Sequence, residues 1–124
     1  MIKKILITFL VLFCASANAV EKKSNFSIET LEKARDSGKT IVINSYEVWC
    51  GTCTKQIKIL NQAEKEFNEI IFLSYEQSKN KDIAKKLGIK HRTTIVVYKG
   101  KNEVFRIIGQ TDKETIYSAI KKGI

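Results

Sequence analysis

Two cysteines separated by two residues, Cys50 and Cys53 in "WCGTC", stand where a continuous apolar run gives way to helical spacing. No other feature limits the fold as strongly. Upstream, "KTIVINSYE" (39–47) is too uniformly apolar and β-branched for a strand with one wet face, so it predicts a strand buried on both sides of a sheet. Downstream, "TKQIKILNQAEKEF" (54–67) sets Ile57, Leu60, Ala63, Glu64 and Phe67 at helical intervals. The pair therefore sits at a strand-to-helix junction.

The rest of the chain alternates in the same manner. "FSIETLEKARDSG" (26–38) predicts a helix capped by Ser27 and stopped by Gly38, with Ile28, Leu31 and Ala34 facing inward. "EIIFLSYE" (69–76) reads as a second apolar strand, "NKDIAKKLGI" (80–89) as a helix ended by Gly88, and "TTIVVYKGKNEVFRIIG" (93–109) as a hairpin turning around Gly100 to Asn102. "TDKETIYSAIKKG" (111–123) closes as a helix capped by Thr111 or Asp112, with Ile116, Ala119 and Ile120 inward. The expected order is α, β, α, β, α, β, β, α, with a short additional strand near Phe26. Helices alternating with buried strands, followed by a hairpin, imply an α/β class with a central mixed sheet flanked by helices on both faces.

The first 19 residues stand apart. "MIKK" is a positive start, Ile5 to Phe13 an apolar run, and "ANA" (17–19) a small-x-small cleavage site, which together read as a secretory signal peptide before a domain of residues 20–124. The apolar stretch falls short of the ~20 residues that span a bilayer, so no stable membrane insertion is expected after cleavage. Phe13 occupies the place where a lipid-attachment signal at Cys14 wants a small residue. Cleavage removes Cys14 and lowers the formal charge of +9 by two, with the loss of Lys3 and Lys4. Export implies an oxidising compartment in which a Cys50–Cys53 bond can persist. The remaining lysines are scattered through helical segments without an aromatic platform, the pattern of a solvated surface, so nucleic acid is not an expected partner.

A cysteine at the first turn of a helix meets unpaired backbone N–H groups and the positive end of the helix dipole, both of which favour thiolate. Cys50 has that place, and Cys53, one turn on and less exposed, is positioned to attack a mixed disulfide formed at Cys50. Trp49 is placed to shield one side of the sulfur, or simply to pack, and Gly51 to let a substrate chain approach. A mononuclear zinc site requires about four ligands, and beyond the two cysteines the exported chain offers the single histidine His91, so no metal is expected. A purely structural staple is weak as well, because closing so short a loop removes little unfolded-state entropy. Redox chemistry is the economical reading of the pair.

The chain resembles the thioredoxin family over nearly all of residues 20–124. "WCGTC" is similar to that family's "WCGPC", "LGIKHRTTIVVYKG" (87–100) to its segment from the third helix into the strand after the substrate loop, and "RIIG" (106–109) to its glycine-bearing last strand. The resemblance implies a thioredoxin fold and a thiol–disulfide oxidoreductase without a cofactor. It implies Cys50 as the attacking cysteine, Cys53 as the resolving one, and Gly109 as part of the nearby surface. Protein thiols or disulfides and an unidentified redox partner would be its partners, with the protein itself a monomer. A helix before the first buried strand, together with a signal peptide, looks most like exported thioredoxin-like proteins of Gram-negative bacteria, hence a periplasmic location.

Three positions depart from the family. Its cis-proline would fall at Thr93 in a chain that has no proline, and since a cis bond before any other residue costs roughly 2.5–4 kcal/mol, a trans Arg92–Thr93 bond in a reshaped loop is expected. In the family the residue before that proline pairs its backbone with substrate, which makes Arg92 and Thr93 candidate substrate-binding positions. The family's buried aspartate and its partner lysine align with Asn44 and Phe72, and asparagine cannot act as a base. Glu47 is the nearest acid in sequence, expected as an exposed loop residue. These departures keep open a non-catalytic binding module with a permanent Cys50–Cys53 bond. The missing proline keeps open a metal-bridged dimer.

Overall fold

The computed structural model describes residues 20–124, so the predicted signal peptide lies outside the described residues. Strand β1 (Thr40–Tyr46) is buried at all seven positions because it is covered on both faces and paired on both edges. It runs parallel to β2 (Ile71–Glu76) and antiparallel to β3 (Thr94–Lys99), and β3 pairs in turn with β4 (Asn102–Ile108), giving the sheet order β2-β1-β3-β4. Helix α1 (Ile28–Asp36) precedes β1, α2 (Gly51–Glu66) crosses between the two parallel strands, α3 (Lys81–Leu87) links β2 to β3, and α4 (Lys113–Lys121) closes the chain. The order and the mixed sheet are those expected.

The period-2 alternation of the strands divides the core into two layers. Ile41 and Ile43 of β1, with Val96 and Tyr98 of β3, meet Leu31 and Ala34 of α1 and Ala84 and Leu87 of α3. Val42, Ile95 and Val97 point the other way, onto Leu60 and Ala63 of α2 and Ile116, Ala119 and Ile120 of α4. Capping sets the helix boundaries: Ser27 accepts from the Thr30 N–H at 3.1 Å, and Asp112 from that of Thr115 at 3.0 Å. Gly88 ends α3 in the left-handed region at φ 64°, a conformation that costs glycine little.

Two expectations are corrected. Ile28, at the first position of α1, is 41% exposed, because the buried stripe of so short a helix begins at Leu31. No strand forms near Phe26. Instead Asn25 and Phe26 donate backbone N–H groups to the Ser74 carbonyl (3.0 and 3.2 Å), while the Asn25 side chain bonds Phe72 O and Ser74 N. That clasp covers the outer edge of β2 without a second ladder.

Candidate active site

Beyond Tyr46 the chain leaves the sheet in a tight turn, Glu47–Cys50, closed by the Cys50 N–H on the Glu47 carbonyl at 3.2 Å. Cys50 is the N-cap of α2, and its Sγ accepts the Cys53 N–H at 3.1 Å. The sulfur thus occupies the place a serine or aspartate oxygen takes in an ordinary cap, the site where negative charge is stabilised by the helix end. Cys50 and Cys53 form a disulfide with their Cα atoms 5.2 Å apart. Cys53 is wholly buried and Cys50 only 4% exposed, both packed with Tyr46 and Ile57.

Glu47 is buried rather than exposed, which corrects the sequence expectation. Its carboxylate accepts the backbone N–H of Ser78 at 2.6 Å and the Ser78 hydroxyl at 2.9 Å. Those two bonds tie the turn before the cysteines to the loop after β2, and the satisfied carboxylate can be buried there. Val48 and Trp49 project from the same turn, 62% and 67% exposed, and the Arg92 guanidinium lies over the indole 4.5 Å from the ring centroid. Gly51 opens α2 on the surface with free space around it.

The loop before β3 is held by a network in place of a proline. No cis peptide bond occurs among the described residues, and Thr93 adopts φ 68°. A β-branched residue in the left-handed region is strained by roughly 1–3 kcal/mol and persists only where its surroundings hold it. Here the Thr93 N–H donates to Ser45 O (2.9 Å), and its carbonyl accepts from Gly109 N (3.0 Å) and from Gln56 Nε2 (3.0 Å). Gly109, itself at φ 70°, thereby joins the end of β4 to the Thr93 loop. Gln56 also donates to Gln110 O at 3.0 Å, so one side chain of the cysteine-bearing helix gathers both loops. The structure brings Trp49 to Arg92, and Thr93 to Gly109, around the end of α2 that carries the cysteines.

Beneath α2, Asn44 is buried, and its Oδ1 accepts a short hydrogen bond from the Ser74 hydroxyl on the neighbouring strand. Its Nδ2 has no partner among the described residues. Asn44 lines a cavity of about 300 Å³ together with Phe72, Ile57 and Asn61. A neutral amide–hydroxyl pair therefore stands where β1 supplies no carboxylate, and the acids that line the cavity are Glu21 and Glu64. Among the described residues, no group of three or more His, Cys, Asp or Glu side chains is arranged to hold a metal ion, and no helix is long and apolar enough to cross a membrane.

Sequence reasoning missed three contributors. Gln56 is polar and was passed over in favour of its apolar neighbours, although its place one turn beyond Cys53 was a usable signal. Lys22 and Val20, from the segment before α1, reach the cysteine turn and gave no local signal at all.

Comparison with known proteins agrees with this geometry. The family model described as Thioredoxin matches residues 17–122. The chain is 32% identical to a thioredoxin H-type of Fagopyrum esculentum over 72% of its own length and 77% of that protein's, and 26% identical to thioredoxin-2 of Saccharomyces cerevisiae over 79% and 90%. Among solved structures, Fasciola hepatica thioredoxin superposes with a TM-score of 0.69 at 26% identity, covering 77% of this chain and 93% of that one.

Proposed function

Because the chain belongs to the thioredoxin family, we propose that it exchanges protein disulfides through Cys50 as nucleophile and Cys53 as resolver, in the periplasm. It is a thiol–disulfide oxidoreductase of the thioredoxin type. The observation that carries the assignment of roles is the position of Cys50 as the cap of α2, with its sulfur on the Cys53 N–H and Cys53 wholly enclosed.

Written for a reduced protein, the Cys50 thiolate attacks one sulfur of a substrate disulfide. That S–S bond breaks, a mixed disulfide forms at Cys50, and the first substrate thiol leaves with a proton. Cys53, having lost its proton, attacks Cys50 Sγ, and the second substrate sulfur departs as a thiol. Two electrons pass from the cysteine pair to the substrate, and the pair returns to the disulfide seen here. The reverse sequence oxidises a substrate dithiol. Trp49, Gly51 and Gly109 form the surface that meets the substrate, and the Arg92 backbone pairs with its chain beside Thr93. The periplasmic location rests on the leader pattern of residues 1–19 and the persistence of the disulfide in such a compartment.

The test is a trapping experiment on exported protein. Cys53→Ala should accumulate mixed disulfides through Cys50 that dithiothreitol releases, and Cys50→Ser should accumulate none. N-terminal sequencing of the same material should read from Val20. Absence of trapped species from Cys53→Ala would favour a permanent disulfide in a binding module. An intact Met1 on protein retained inside the cell would refute the location.

A further inference from the structure

The segment before α1 crosses to the cysteine turn and grips it. Lys22 places its Nζ 2.9 Å from Glu47 O, 3.0 Å from Val48 O and 2.8 Å from Cys50 O. An ammonium has three N–H donors, and all three are spent on carbonyls of one four-residue turn. Two residues earlier, Val20 lies on the cluster of Tyr46, Cys50, Cys53 and Ile57. Three residues later, the Asn25 clasp fixes the same segment to the edge of β2. The strap is therefore anchored at both ends.

We propose that Lys22 is a positioning residue of the redox centre: its ammonium holds the Glu47–Cys50 turn in place and sets a positive charge on the backbone of the residue whose sulfur becomes thiolate on reduction. The inference rests on the reading of Cys50 as the nucleophile. Other charged groups near the turn are already engaged. The Glu47 carboxylate is committed to Ser78, the Glu76 carboxylate pairs with Lys79 at 3.3 Å, and Arg92 lies outward on Trp49. Tyr46 adds only a neutral phenol, its ionisation disfavoured by burial first and then by Glu76 and Glu47. Lys22 is thus the cation bonded to the residue that reacts, and half-burial raises its influence over that of a surface lysine. Asn44 supplies no carboxylate, and of the acids lining its cavity Glu21 pairs with Lys23 at 3.3 Å while Glu64 comes from further along α2.

A cation beside Cys50 favours the reduced, thiolate-bearing state, so its removal must make the pair harder to reduce. The measurement is the equilibrium of the purified protein with glutathione redox buffers, alongside thiolate absorbance at 240 nm against pH. Lys22→Gln should shift the equilibrium constant on the order of tenfold toward the disulfide, equivalent to a potential about 30 mV lower, and raise the thiolate titration midpoint. Lys22→Arg should keep at least half of the parental behaviour, and about 1 M salt should narrow the gap between parent and Lys22→Gln. If Lys22→Gln lowers the melting temperature yet leaves both potential and thiolate midpoint unchanged, the role is structural and the proposal falls. An equal shift from Lys22→Arg would overturn the charge argument as well. A parent protein that never equilibrates with glutathione would instead refute Cys50 as nucleophile, a failure distinct from that of Lys22.

Discussion

Gln56 offers the sharpest test of how this site is built, because the polar end of one fully buried side chain spans two loops. Its Nε2 donates to Thr93 O and Gln110 O at 3.0 Å each, while its Oε1 has no partner among the described residues. Gln56→Ala removes two hydrogen bonds of about 1 kcal/mol each. It also leaves a void of several heavy atoms worth about 1–2 kcal/mol. Relief of the unpaired Oε1 and the bond Thr93 O retains from Gly109 offset part of this, for a net loss of about 2–3 kcal/mol. Thermal melts of the oxidised protein should then fall by about 10–20 °C. Gln56→Glu is nearly the same size but turns an acceptor toward two carbonyls, so it should be worse than Gln56→Ala at neutral pH. Burial and the facing carbonyls raise the introduced carboxyl's pKa in the folded state. The ionisation part of its penalty should therefore be absent below the unfolded carboxyl value of about 4.3 and grow as pH rises from there toward the raised folded value, leaving at low pH only the cost of one donor serving two carbonyls. Urea titrations at a series of pH values read both effects. An alanine variant within about 0.5 kcal/mol of the parent, or a glutamate variant without the pH trend, would refute the bridging role.

Burial raises the pKa of the Tyr75 and Tyr98 phenols, with Glu103 adding to the effect at Tyr98. The neutral phenols are favoured in the fold, so their contribution is complete below the unfolded value of about 10 and is lost as pH rises beyond it. Absorbance at 295 nm should show these tyrosines ionising together with unfolding, and Tyr75→Phe should flatten the alkaline decline; ionisation without loss of ellipticity would contradict this. Gly123 is constrained by space: a Cβ there would lie 2.5 Å from Thr40 Cγ2 and 2.8 Å from Val97 Cγ1. Gly123→Ala should cost about 1–3 kcal/mol in denaturant titrations, and an unaffected midpoint would mean that the C-terminal turn yields freely.

What was legible in the sequence was whatever repeats with a period. The strands, the inward faces of α2 and α4, and the junction holding Cys50 and Cys53 all follow from apolar spacing and capping residues, which act within a few positions. The failures share an opposite cause. Glu47 reads as exposed from its own residue type, and only the approach of Ser78, from the far end of β2, lets the carboxylate be buried. Gln56 gives no local sign of its partners, because two loops from distant parts of the chain present their carbonyls to it. Lys22 meets its partners 25 to 28 positions away. Each depends on a pairing fixed by tertiary assembly, to which local pattern is blind.

The Thr93 loop shows how such pairings can replace a residue the chain lacks. Proline restricts a loop covalently, at φ near −65° and without an N–H donor. Thr93 sits at φ 68°, and its N–H is used by Ser45. The strain of roughly 1–3 kcal/mol is matched by three hydrogen bonds of about 1 kcal/mol each, drawn from β1, α2 and the end of β4. Because those bonds consume both backbone groups of Thr93, the open positions on this loop move one residue back. Arg92 has no backbone hydrogen bond among the described residues, while His91 O is taken by the Ser45 and Thr94 hydroxyls. In the proposed reaction, an extended substrate chain would meet the unpaired N–H and carbonyl of Arg92, next to the equally unpaired N–H of His91. The Arg92 guanidinium already rests on Trp49, so the same residue that offers its backbone also ties the loop to the cysteine turn.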